Sequence, residues 1–200
     1  MRNITIEPQV GSTSGKEVIR LATYKRELVR HQSREARQNV QGEDLVLFFK
    51  HIYKLHSPDE ITFVCIGTDR STGDALGPLT GSLLQEAGVN HVVGTLASPC
   101  DADTLEKRLA LVPSHHAIIA IDACLGPKQA TGTYYLAEHP LIPAKSVGGK
   151  LPPVGHYSVA AVVNANGPRP YSILQMTSLH FVMGMSRTIA EAVAEAVKYR

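Results

Sequence analysis

From residue 43 onward, hydrophobic positions fall into one-sided stripes and short apolar runs that alternate along the chain. Leu45, Phe48, Phe49, Ile52 and Leu55 recur at three- and four-residue spacing, which predicts an amphipathic helix over Glu43–Leu55. Ser57-Pro58-Asp59 breaks it. Ile61–Ile66 is a short, mostly apolar run and reads as a buried strand. Gly77-Pro78 then opens a helix that runs to Ala87, and Gly88-Val-Asn90 is a turn. His91–Thr95 reads as a second strand and Asp101–Leu111 as an amphipathic helix, with Asp101 or Asp103 as its cap. His115–Ile121 is a third strand. This β-α-β-α-β order predicts a mostly parallel, doubly wound sheet in a single three-layer α/β domain, with helices on both faces.

After Asp122 the texture changes. Thr131–Ala137 alternates like an edge strand or hairpin arm. Leu141–Gly155 carries three prolines and three glycines and reads as a loop, too long for a mere connector. Tyr157–Val163 is β-like, Asn164–Pro170 is a turn, and Tyr171–Met176 reads as a further strand. Val182, Met185, Ile189, Val193 and Val197 form the apolar stripe of a closing helix from about Leu179 to Lys198. Upstream, residues 1–15 read as extended and Lys16 to about Gln41 as helical. Residues 1–57 are therefore expected to be a tail and helical extension packed on the core, and 58–200 the α/β domain.

Composition narrows the functional classes. The net charge is +2, which indicates no nucleic-acid footprint over the whole chain. The basic excess before residue 40 is interleaved with Glu17, Glu27 and Glu35 and reads as a solvated helix face. Three cysteines without a Cys-x-x-Cys spacing imply neither a disulfide framework nor a Cys-rich zinc site, and fit a reducing cytoplasm. The first residues lack the apolar core of a signal peptide, and no apolar run approaches a membrane span. The expectation is a cytoplasmic protein with neither nucleic acid nor membrane as partner. Self-association is left open. Gly15-Lys16 does not make a phosphate loop, because Gly11 is one position too close and no strand leads into it. Neither a Gly-x-Ser-x-Gly elbow nor a dinucleotide fingerprint is present.

Candidate chemistry gathers at strand ends. Asp74 lies in the polar loop after the first strand. Gly77-Pro78 supplies a good helix start of its own, which spares Asp74 from capping. Asp122 follows the third strand. Two carboxylates leaving buried strands for one crevice could share a proton, one activating water while the other protonates a leaving group. They could equally bind a metal ion, or tie down loops by accepting backbone amides. Asp69, Arg70 and Thr72 of the first loop, with His156 at the end of the Gly/Pro-rich loop, are candidate substrate contacts. His180 stands at the start of the last helix, whose N-terminus disfavours its charged form and suits a ligand. His115 and His116 read as strand-edge residues. Cys100 and Cys124 could be nucleophiles or small apolar fillers.

Cys65-Ile-Gly-Thr-Asp-Arg-Ser-Thr-Gly-Asp-Ala-Leu-Gly-Pro78, Ile119-Ala-Ile-Asp-Ala-Cys-Leu-Gly126 and Leu151-Pro-Pro-Val-Gly155 together closely resemble the YyaC-type family of sporulation proteins. The resemblance spans about residues 58 to 198. That family looks like a relative of the spore germination protease and is similar in fold to the HybD-like endopeptidases that mature nickel-iron hydrogenases. The resemblance implies a hydrogenase-maturation-protease-like (phosphorylase/hydrolase-like) fold and a sporulation-associated peptidase acting on a peptide or protein substrate. It maps the protease's catalytic aspartates onto Asp74 and Asp122, with no cofactor. The hydrogenase proteases imply a different use of the site. There, a divalent metal such as zinc or nickel would be held by Asp74, Asp122 and His180. A non-catalytic protein that holds a small ligand, metal or partner in the same cleft is the alternative.

Overall fold

The structure, a computed structural model, describes residues 38–143 and 151–198. The expectations for residues 1–37 and the middle of the Leu141–Gly155 loop fall outside that range. Six strands form one sheet: β1 (Gln38–Val40), β2 (Ile61–Cys65), β3 (Val92–Val93), β4 (Ala117–Gly126), β5 (Tyr134–Ala137) and β6 (Tyr157–Ala165), in the spatial order β1-β5-β6-β4-β2-β3. The four strands from β6 to β3 are parallel, while β5 runs antiparallel to both β6 and β1. The expected mixed α/β architecture with a mostly parallel sheet is thus what the chain adopts.

Helices α1 (Gly42–Leu55), α2 (Leu76–Glu86) and α5 (Leu179–Val197) pack together on one face. Leu45, Phe48, Phe49 and Ile52 of α1 are buried, and Phe49 meets Phe63 of β2 with ring centroids 6.2 Å apart. The opposite face is thinner. There α3 (Leu105–Leu109) contributes Leu105, and the ends of the long loop contribute Leu141 and Val154, to a cluster on Val64, Ile66 and Ala120. Both expected helical layers exist, but the second is completed by a loop.

Several element boundaries differ from the sequence reading, for identifiable reasons. Gln38–Val40 is a strand rather than a helix end, so β5 is covered by β1 and is not an edge. The helix expected over Asp101–Leu111 shortens to α3. Asp101 Oδ1 accepts from the Thr104 amide and hydroxyl, a capping-type bond, so residues 101–104 form a turn that leads into α3. Tyr171–Met176 is not a strand. Pro170 opens the helix α4 (Pro170–Gln175), a position where its missing amide costs nothing. The strand expected to end at Ile121 runs on to Gly126, so Asp122 lies within β4 rather than beyond it.

The strand order explains where a site can form. The chain leaves β2 for β3 on one side, then returns past β2 to build β4 on the other side. Such a reversal opens a crevice at the carboxyl ends of the two diverging strands. Here that crevice lies between β2 and β4.

Candidate active site

The loop from β2 to α2 is shaped by backbone crowding. Gly67 sits at φ 145°, and a Cβ there would lie 2.0 Å from the Asp74 carbonyl oxygen. The Thr68 amide donates to that same carbonyl at 3.2 Å, which folds the loop back on itself. Gly77 lets α2 start hard against β2, since a Cβ on it would lie 2.0 Å from the Ile66 oxygen. Ala75, not Asp74, is the residue that precedes α2, and it makes no side-chain cap. Asp74 is therefore free of capping duty. The Gly73 amide donates to the Leu174 carbonyl at 2.8 Å, fastening the loop to α4.

Asp122 comes from the neighbouring strand. Cys65 is paired with Ile121, and the Ile66 amide donates to the Ile121 carbonyl at 2.7 Å. Asp122 thus stands beside Ile66 at the carboxyl end of β2. Its Oδ1 accepts from the Ala123 amide at 2.8 Å. Asp74 and Asp122 both line one cavity of about 210 Å³, together with Thr68, Arg70, Asp101 and Asp103. Apolar wall comes from Ile66, Pro143, Leu151 and Leu174, and Tyr171 stands at the rim, 63% exposed.

The electrostatics of the pair are asymmetric. Burial pushes the Asp122 carboxyl well above the ordinary carboxylate value, and the charge of Asp74 raises it further against the Ala123 hydrogen bond. Asp74 is also raised by burial, with the nearby Ser71 hydroxyl working in the other direction. Asp122 is thus the carboxyl that holds a proton more firmly. Arg70 does not neutralise either. Its Nη2 reaches Asp101 Oδ2 at 3.1 Å and its Nε donates to Thr68 Oγ1 at 3.1 Å. That side chain is 74% exposed, so the ion pair contributes little stability and is free to rearrange.

Of the residues singled out in the sequence, Asp74, Asp122 and Arg70 are brought together. Asp69 is exposed and Thr72 half-buried, and neither lines the cavity. His156 does not reach it. Its Nδ1 accepts from the Ile118 amide at 2.9 Å and its own amide donates to the Ile118 carbonyl, which fixes the start of β6 on β4. His180 is exposed in the first turn of α5, and it does not join the two aspartates on the cavity wall. Among the described residues no group of three His, Cys, Asp or Glu side chains is arranged to hold a metal ion. The donor set Asp74, Asp122 and His180 therefore does not fit a metal centre. Neither buried thiol is a ready nucleophile. Burial pushes Cys100 up to about 11, and Cys65 is raised further still. His116 is buried and bonded to Thr62 Oγ1 at 2.9 Å, a satisfied residue just ahead of β4. Asp101, Asp103 and Tyr171 are the cavity residues that sequence reasoning missed. The sequence pattern marks Asp101 and Asp103 only as helix caps, and Tyr171 as part of a strand.

Residues 33–192 match the family described as "Protein of unknown function (DUF1256)". "Uncharacterized protein YyaC" of Bacillus subtilis (strain 168) is 40% identical over 139 residues, which cover 67% of this chain and 68% of that one. Among solved structures, the NiFe hydrogenase maturation protease HycI from Thermococcus kodakarensis KOD1 is similar with a TM-score of 0.48 at 18% identity, over 70% of this chain and 92% of that one. No helix among the described residues is long and apolar enough to cross a membrane.

Proposed function

The chain belongs to the DUF1256 family, and for it we propose a sporulation-associated peptidase that hydrolyses an amide bond with Asp74 and Asp122 and needs no metal. The observation that carries this reading is the shared cavity. One carboxylate from the loop after β2 and one from within β4 line it, and the charge of Asp74 raises Asp122. The sporulation context rests on the resemblance of the Cys65–Pro78 and Ile119–Gly126 motifs to the YyaC-type family and, through it, to the spore germination protease.

In this reading Asp74 is ionised and Asp122 protonated at neutral pH. A water between them attacks the carbonyl carbon of the peptide. Asp74 takes the water's proton as the C–O bond forms. Asp122 gives its proton to the amide nitrogen as the C–N bond breaks, which releases an acid and an amine. The apolar wall of Ile66, Pro143, Leu151 and Leu174 keeps the pair poorly hydrated and seats an apolar side chain of the substrate.

Cleavage of an unfolded-protein and peptide mixture, read by mass spectrometry, tests the proposal. Asp74→Asn and Asp122→Asn should each lower the rate about 10²–10⁴-fold, and a chelator should leave the wild-type rate unchanged. Cleavage that persists in both variants, or is absent from the wild type on every peptide offered, counts against a peptidase. The second outcome, with ligand or partner capture at the same cavity, would favour a binding protein.

A further inference from the structure

A second cavity of about 320 Å³ opens beside β3, away from the two aspartates. Its wall includes Arg108, His91, Gln85 and the apolar run Leu111, Val112 and Pro113, and no Asp or Glu lines it. Arg108 is oriented by its Nη2, which donates to Ser98 Oγ at 2.8 Å. Its Nε is buried and has no acceptor among the described residues. A buried guanidinium N–H without a partner is costly, and the Arg108 side chain lines a space with no carboxylate on its wall. The strand beside it adds a donor. The Phe63 amide bonds the His91 carbonyl, and Val92 is paired with Phe63. In a parallel ladder alternate residues turn their amides to opposite sides, so the Val92 amide faces the open edge. β3 is the last strand of the sheet, and no further strand covers that edge among the described residues.

We propose that this cavity binds a small organic anion, whose phosphate or carboxylate group accepts from the Arg108 guanidinium. The outward Val92 amide is a second donor. The apolar body of the ligand rests on Leu111, Val112 and Pro113. The planar fork of arginine suits either oxyanion, so the shared chemistry is the anionic head.

The test is a nitrogen-15 NMR titration of the full chain with inorganic phosphate and, separately, with succinate. A saturable shift of the Arg108 Nε–H cross-peak, with a dissociation constant on the order of millimolar, supports the site. Response to phosphate alone identifies a phosphate ester as the ligand class, response to succinate alone a carboxylate, and response to both a site that reads charge. Arg108→Lys keeps the charge and loses the planar fork of guanidinium donors. The His91 and Val92 amide shifts should then need at least tenfold more ligand. Asp122→Asn should titrate like the wild type. The proposal is overturned by a drift that is linear in added salt, by saturation unaffected in Arg108→Lys, or by loss of binding in Asp122→Asn.

Discussion

At the residue scale, Asp122 is a carboxyl placed where its charge is disfavoured. Its folded-state value is raised by burial and by Asp74. The folded chain therefore binds more protons than the unfolded one between the unfolded value, about 3.9, and the raised folded value. Stability contributed by the neutral form is present below that unfolded value and is lost as pH climbs through the folded one. Asp122→Asn is accordingly expected to raise the thermal unfolding midpoint at about pH 7.5. The gain should shrink towards about pH 3, where both states of the wild type are protonated. A midpoint lower than wild type at neutral pH, measured by calorimetry, would mean that the Ala123 hydrogen bond outweighs desolvation. Gly77 offers a contrasting case. A methyl group there meets the Ile66 carbonyl at 2.0 Å, backbone against backbone. Gly77→Ala should cost about 3 kcal/mol or more in denaturant unfolding, and loss of less than about 1 kcal/mol would show that α2 can slide. Asp74 and Asp122 were legible in the sequence because each follows a buried apolar run. His156 and His180 were not, because nothing in the local pattern says that one bonds a strand backbone and the other faces solvent.

At the element scale, the two ends of the Leu141–Gly155 loop bring Pro143 and Leu151 to the cavity wall. Its two ends are not loose. The Leu141 amide donates to the Val154 carbonyl at 3.0 Å and the Val154 amide returns the bond at 2.8 Å. Both side chains are buried against Val64 and Ala120. Hydrogen exchange should find the amides of Leu141 and Val154 slow, within the range of the central strands. Exchange as fast as that of the exposed Ile142 would mean that this clamp opens readily. β2, β4, β6, α1 and α5 were readable because their apolar runs or stripes are long and unbroken, whereas β1 has three residues and no apolar run. α3 and α4 were misjudged because each is under two turns. Their fate was decided by single local contacts, Asp101 with Thr104 in one and Pro170 in the other. No hydrophobic period of that length separates helix from strand.

At the scale of the whole molecule, the candidate site is a product of sheet topology. Asp74 and Asp122 are distant in sequence, and neither motif by itself says which face or edge it will occupy. The β-α-β-α-β order made a parallel sheet legible. The position of β4 beside β2, rather than beside β3, is what opens a crevice between the two aspartates. That placement also sets the crevice against the apolar wall of Ile66, Leu151 and Leu174, and burial there raises both carboxyls. The central claim is that this assembly makes the two aspartates one coupled, proton-holding pair. The most direct measurement is a carbon-13 NMR titration of the Asp122 side-chain carboxyl in the wild type and in Asp74→Asn. The account predicts that Asp122 titrates above the ordinary range in the wild type. It should move down, though not fully back, in Asp74→Asn, because the charge of Asp74 is lost while burial remains. An Asp122 that titrates near 3.9, or one that does not respond to Asp74→Asn, would contradict it.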